Sequence, residues 1–448
     1  MLGAKAFADC ISLNGITLPK SLTVISESLF DSCISIEEIT IPDKVTKIDT
    51  NAFYNCASMK TVIIPDSVSE IKDHAFHRCE SLESVTVPTG ITGIEFGTFV
   101  ACSSLKEVTL PDTLLTISNA AFQNCKNLKS IELPESLLKL GDSSFLGSGL
   151  ESITVPDSVT YIGSFAFYGC EALKSVYIGS GVTEFGTYKA FENCNALETI
   201  EISEENVVFS SQGNCIIDKA SKTLIFGIKT TVIPDDGSVT AIGTEAFKGC
   251  NELTEINIPG CIETIASKAF DNCKSLEKVT IEDGLNKISY ASFFGCTSLK
   301  IIDLPKSLAY IGGSTFEACT SLTEITIPDS VTYIGGNAFY NAVSLKDIYC
   351  EAEEQPDDWD SDWEYNSSAE IHWGYKTEPP TVRLLGDINN DKSIDQYDYI
   401  LAKRVHFNTV KLSDEDEIYA DVNKDGNVDQ YDYILIKRHH FKTYIITQ

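Results

Sequence analysis

Two twelve-residue stretches near the C-terminus carry oxygen-bearing side chains at the same intervals. In the first these are Asp387, Asn389, Asp391, Asp395 and Asp398; in the second, Asp421, Asn423, Asp425, Asp429 and Asp432. Donors at positions 1, 3, 5, 9 and 12 wrap a loop around a hard cation, and the backbone carbonyl of position 7, Ser393 or Asn427, completes the shell. This is the chemistry of a calcium site. Each loop gathers four aspartates, whose repulsion disfavours the closed loop without metal, so folding is expected to depend on calcium, with two ions bound. A merely acidic turn would not repeat itself so closely. Both loops share their ligands and also their continuation, Asp398-Tyr399-Ile400-Leu401-Ala402-Lys403-Arg404 against Asp432-Tyr433-Ile434-Leu435-Ile436-Lys437-Arg438.

These continuations read as helices. Between them Ser413 followed by Asp414, Glu415 and Asp416 marks a helix start, with acidic residues at the positive end of the dipole. Loop, helix, linking helix, loop, helix is the layout of a type I dockerin, which residues from about Leu384 to His440 resemble closely. The resemblance implies calcium at both loops and docking to a cohesin module on the scaffoldin of a cellulosome-like assembly. Carried over by position, the partner-reading residues are Gln396 and Tyr397 in the first copy and Gln430 and Tyr431 in the second, with the helix bases Lys403, Arg404, Lys437 and Arg438. Two departures stand out. Lys392 occupies position 6 of the first loop, where glycine is usual, which should weaken that site by about 1 kcal/mol. Gln-Tyr replaces the usual small hydroxyl pair in both copies, so the cohesin class is not implied. Because either helix can present the same Gln, Tyr, Lys and Arg set, docking in two orientations is expected, against the alternative of one contact helix and a copy kept for folding.

The rest of the 448 residues is organised by a phenylalanine recurring almost always 23 residues apart, at Phe7, Phe30, Phe53 and on to Phe339, giving fourteen units. A typical unit runs Ile311-Gly312-x-x-Thr315-Phe316-x-x-Cys319-x-x-Leu322-x-x-Ile325-Thr326-Ile327-Pro328. Leu322 to Ile327 alternates apolar and polar residues and is β-branched, which predicts a short strand with one buried face, ended by Pro328. One unit alone leaves its apolar face exposed, so the units must stack in parallel into a mainly β solenoid, followed by the small all-α calcium module. The other side of each unit should be turns with short helical or extended pieces, since no helical pattern of ten or more residues appears.

Twelve of the fifteen cysteines lie three residues after the repeat phenylalanine. No Cys-x-x-Cys pair or converging histidines accompany them, so they read as a buried column of free thiols used as small apolar side chains. Phe191 to Phe247 spans 56 residues, and the two alternating runs between Val207 and Ile233 read as an inserted β-hairpin, within about 204–234. The repeat decays after Phe339. Trp359, Trp363 and Trp373 then read as a cap over about 350–375, or as aromatic platforms for sugars. The expected organisation is a solenoid over 1–375, a linker over 376–383 and the calcium module over 384–448. The solenoid units resemble the bacterial surface-antigen class of leucine-rich repeats, the BspA-like class, which implies adhesion or protein binding with varied ligands.

A formal charge of −31 excludes nucleic acid and anionic membranes as natural partners. No stretch approaches the ~20 apolar residues that span a bilayer. Met1 is not followed by an export signal, because Leu2, Gly3, Ala6, Phe7 and Cys10 already match mid-repeat; secretion, with attachment to the cell surface through a scaffoldin, is expected from the calcium module instead. No phosphate loop, nucleophile elbow or zinc-protease motif occurs, and of the six histidines His74 and His77 fall in turn positions and His406, His439 and His440 in or beside the docking helices, so a non-catalytic protein is expected. The strand slot holds Thr40, Thr86, Thr109 and Thr326 in some units and Tyr177, Glu201, Asp303 or Tyr349 in others; the threonine ladder suits β propensity by itself, and the alternative is that the variable members form the ligand-binding surface. Protein binding is the first reading; a carbohydrate-binding accessory role is the second.

Overall fold

The computed structural model describes residues 2–186, 188–376, Gly386, Ile388, Ile394, 396–406, Lys411, 419–424 and 427–440. The chain divides into two compact units, Met1–Tyr375 and Lys376–Gln448.

The first unit is a β solenoid. Strands such as Glu38–Thr40, Ser152–Val155, Glu255–Ile258 and Glu324–Ile327 alternate exposed and buried residues, as the β-branched pattern requires. They pair in parallel one rung apart: Glu38 faces Thr61, Glu255 faces Lys278, and Glu324 faces Asp347. A second ladder consists of two-residue strands, among them Lys47–Ile48, Thr264–Ile265 and Tyr333–Ile334, also parallel from rung to rung. The sequence indicated turns with short helical or extended pieces there.

The turn around each phenylalanine is fixed by the left-handed backbone. Residues two before and two after the ring have positive φ, as at Asn51 and Asn55 around Phe53 or Lys268 and Asn272 around Phe270. Asn and Gly are common at these positions because they enter that region at little cost. The resulting double turn directs N–H groups along the stack: Asn51, Phe53 and Asn55 donate to the carbonyls of Asp73, Ala75 and His77 in the next rung. Every rung therefore satisfies its backbone through its neighbours even where it is not a strand.

The phenylalanine rings stack inside, with centroids 4.9 to 5.8 Å apart and planes within 14°. Beside them runs the thiol column. Cys56, Cys79, Cys102 and Cys125 each donate to the carbonyl of the phenylalanine 26 residues earlier at 3.2 Å, and Cys296 and Cys319 do the same further along. All fifteen cysteines are free. The slot thus selects a side chain that is small, apolar and still able to donate weakly.

The insertion is an antiparallel meander. Phe209–Ser210 pairs with Cys215–Asp218, which pairs with Thr223–Gly227; this last strand then joins the two-residue ladder in parallel at Ala241–Ile242. Phe226 meets Phe191 at 5.9 Å with planes tilted by 48°, interrupting the face-to-face stack. At the other end Trp363 packs edge-on against Phe339 at 5.9 Å, taking the slot of a fifteenth ring. Glu370–Trp373 extends the strand ladder by one more parallel member, with Asp347 opposite Glu370.

In the second unit the described elements are helices α1 (Gln396–His406) and α2 (Gln430–His440). They share a small core of Ile388, Ala402, Ala420, Val422 and Ile436. The expected helix start at Ser413 and residues 377–383 of the expected linker lie outside the described residues.

Candidate functional site

Each helix of the second unit begins beside a buried aspartate. Asp398 and Asp432 are both fully buried. Asp432 Oδ1 accepts the Asn423 N–H at 3.1 Å and Oδ2 accepts that of Asp429 at 2.8 Å, while Asp398 Oδ1 accepts the Ile388 N–H at 2.6 Å. These bonds fold each loop back onto the first turn of its helix. Asp429 in turn accepts the Tyr431 N–H at 2.7 Å. Burial raises the Asp432 carboxyl above its ordinary range, and the Asp421 charge adds to the rise. Among the described residues no lysine or arginine pairs with Asp432. A buried carboxylate held by backbone N–H groups and facing a second carboxylate suits a hard divalent cation. Of the expected second calcium loop, Asp421, Asn423, Asn427, Asp429 and Asp432 lie within the described residues. Asp387, Asn389, Asp391, Ser393, Asp395 and Asp425 lie outside the described residues.

The outward faces of the helices share an exposed lysine, Lys403 and Lys437. Lys403 and Arg404 on α1 are exposed, as are Gln430, Tyr431 and Lys437 on α2. The side chains of Gln396, Tyr397 and Arg438 lie outside the described residues. Two further residues join this face. Ile400 and Ile434, each two positions after its buried aspartate, are exposed large apolar side chains. On α2 this gives Gln430, Tyr431, Ile434 and Lys437 at i, i+1, i+4 and i+7, one continuous strip. Helical periodicity alone could have found the isoleucines, since they fall among polar residues on that strip. Tyr399 lies between the helices, 6.0 Å from Tyr433, with Lys403 and Lys437 approaching its ring at 5.8 and 5.4 Å.

On the solenoid the candidate ligand face is the outer side of the strand ladder. Thr40, Thr86, Thr109, Glu201, Asn257 and Asp303 are exposed, Tyr177 is 37% exposed, and Tyr349 is half-buried. Glu37 with Lys60, Glu83 with Lys106 and Glu277 with Lys300 form ion pairs between neighbouring rungs at 2.8 to 3.0 Å. The tryptophans are not platforms as a group. Trp359 and Trp363 are buried, and Trp359 Nε1 donates to the Val331 carbonyl at 3.2 Å, so they seal the last rung.

Comparison with known families settles the class of the first unit. The BspA type leucine rich repeat region matches residues 1–127, 92–215 and 225–355, in six copies. The chain belongs to the BspA-type leucine-rich-repeat family. Its C-terminal part carries a type I dockerin domain, matched over residues 385–439. Similar solved structures include a leucine-rich repeat protein from Bacteroides ovatus, at 28% identity over 83% of this chain and 86% of that one with a TM-score of 0.48. Another is a leucine rich cell surface protein from Faecalibacterium prausnitzii, at 29% identity over 82% and 86% with a TM-score of 0.44. Comparison with curated proteins gives no match. Among the described residues, no helix of this BspA-type chain is long and apolar enough to cross a membrane.

Proposed function

We propose that this chain is a non-catalytic extracellular subunit that docks through its dockerin to a cohesin of a cellulosome-type scaffoldin and presents its solenoid strand face to a protein ligand. The observation that carries the docking half is the duplication: two helices, each started by a buried loop aspartate, expose an equivalent lysine and an equivalent isoleucine. Two calcium ions would be held by the oxygen donors at positions 1, 3, 5, 7, 9 and 12 of the loops, and would neutralise the buried carboxylates that the backbone N–H groups aim inward. Gln430, Tyr431, Ile434 and Lys437 then form one contact strip, with Gln396, Tyr397, Ile400, Lys403 and Arg404 its copy. An apolar centre flanked by bases fits a partner surface that is apolar and acidic.

Titration calorimetry of the full chain against a panel of cohesin modules tests this reading. Binding in calcium that disappears with chelator is the expected result; no binding to any cohesin in calcium overturns it. The dual orientation has its own test. Lys437→Ala with Arg438→Ala should leave binding through the first helix, and loss of all binding with that helix intact would show a single contact mode.

The carbohydrate-binding reading has less support. Burial of Trp359 and Trp363 removes two of the three rings that would stack on a sugar, while Tyr349, Tyr365 and Tyr375 remain at least partly accessible.

A further inference from the structure

The last two strands of the solenoid bring together side chains that neither the repeat nor the dockerin explains. Asp347–Cys350 and Glu370–Trp373 run parallel, with Asp347 opposite Glu370 and Tyr349 opposite His372. Ile348 and Cys350 point into the core, so the alternate residues Asp347 and Tyr349, with Glu370 and His372 beside them, share the outer face. His372 Nε2 lies 2.8 Å from Asp347 Oδ1. One ligating atom from each of Asp347, Glu370 and His372 lies within 4.8 Å of the others. The imidazole is oriented by stacking on Tyr349, with ring centroids 4.8 Å apart and planes at 19°, and Tyr349 rests against Tyr375 at 4.5 Å.

The electrostatics of this corner differ from the rest of the ladder. Glu324 faces Asp347 on the preceding strand, so three carboxylates, Glu324, Asp347 and Glu370, stand side by side on adjacent strands. Like charges directly opposite one another are destabilising. Elsewhere neighbouring rungs set glutamate against lysine, as in Glu37 with Lys60 or Glu277 with Lys300. Among the described residues no lysine or arginine pairs with the three acids here. The corner is thus an uncompensated anionic strip with an imidazole nitrogen converging on it.

We propose that Asp347, Glu370 and His372 bind a divalent transition-metal cation of the zinc class on the strand face of the last rung. One imidazole nitrogen with two carboxylate oxygens is a borderline donor set, which selects such ions over calcium with its all-oxygen shell. Two rigid parallel strands fix the three Cα positions, and exposed Glu370 is free to turn its carboxylate into the coordination sphere. Three protein donors leave a further position open to water or to a group on a bound partner. The site therefore lies on the outer side of the strand ladder and does not depend on the docking reading.

The test is a Co2+ titration of the full chain in excess calcium, which keeps the dockerin loops filled, followed by displacement with Zn2+. The wild-type chain should bind one more Co2+ than His372→Ala, giving d–d absorption without a thiolate charge-transfer band, and Zn2+ should displace it. Glu370→Gln should weaken binding about tenfold or more, since loss of even an outer partner of a ligand costs that much. Unchanged circular dichroism in both variants shows that the ladder is intact. Equal Co2+ stoichiometry in wild type and His372→Ala would overturn the proposal and leave a His372–Asp347 ion pair only. So would a signal that carries thiolate charge transfer and vanishes in Cys10→Ser.

Discussion

The thiols of the column are kept protonated by the same burial that packs them. Burial pushes the Cys102 thiol up to about 12 and Cys33 up to about 11, so the S–H···O contacts to the preceding phenylalanine carbonyls persist at any ordinary pH. His77 is the opposite case. Burial first, then the neighbouring His74 and Arg78, lowers it from 6.5 to about 4. The unfolded chain takes up a proton near 6.5, whereas the folded chain does so only near 4, so His77 favours folding above that window and loses its contribution as pH falls through it. His77→Gln should flatten the decline in melting temperature between pH 6.5 and 4; an identical decline in both proteins would place the acid sensitivity elsewhere. Residue types made the calcium loops legible from sequence, because aspartates at fixed positions recur in duplicate. Ile400 and Ile434 are less plain, because an apolar helix residue is ordinarily assigned to a core and only the polar neighbours at helical spacing place these two outside it.

The hairpin shows how an element is fastened to a repetitive scaffold. Its last strand ends at Gly227, where a Cβ would overlap the Phe247 ring, so the close approach of hairpin and rung depends on the missing side chain. Gly227→Ala should destabilise the solenoid by about 1–3 kcal/mol, the usual cost of overpacking, as measured by chemical denaturation. A neutral effect would mean that the hairpin shifts freely on its rung. The elements were unequally visible in the sequence. Leu322 to Ile327 alternates for long enough to declare a strand, found at Glu324–Ile327. Two-residue strands such as Thr264–Ile265 have no period to read; they form only because the rung before and the rung after offer hydrogen-bonding partners. Glu370–Trp373 was hidden because its rung had lost the phenylalanine and cysteine that mark the others, yet Trp363 lies 24 residues after Phe339 and fills the ring slot.

At the scale of the whole molecule, two units of different size and composition should melt separately. The second gathers four aspartates in each of its two loops, whose repulsion without metal should disfavour its folded state. Calorimetry of the full chain should show two transitions, with chelator lowering or abolishing only the smaller. A single transition insensitive to chelator would contradict calcium-dependent folding of residues 376–448. The solenoid answers to a different rule. Phe145 to Phe167 is 22 residues and Phe167 to Phe191 is 24, yet both ring pairs stack within 2° of parallel. Single-residue gains and losses are taken up in the loops, and a whole rung can enter or leave without any facing surface meeting an unfamiliar partner. A gene built this way can change length by unequal crossing-over between its own repeats, so the span of the reading face is open to rapid inheritance while the chemistry of each rung stays unchanged.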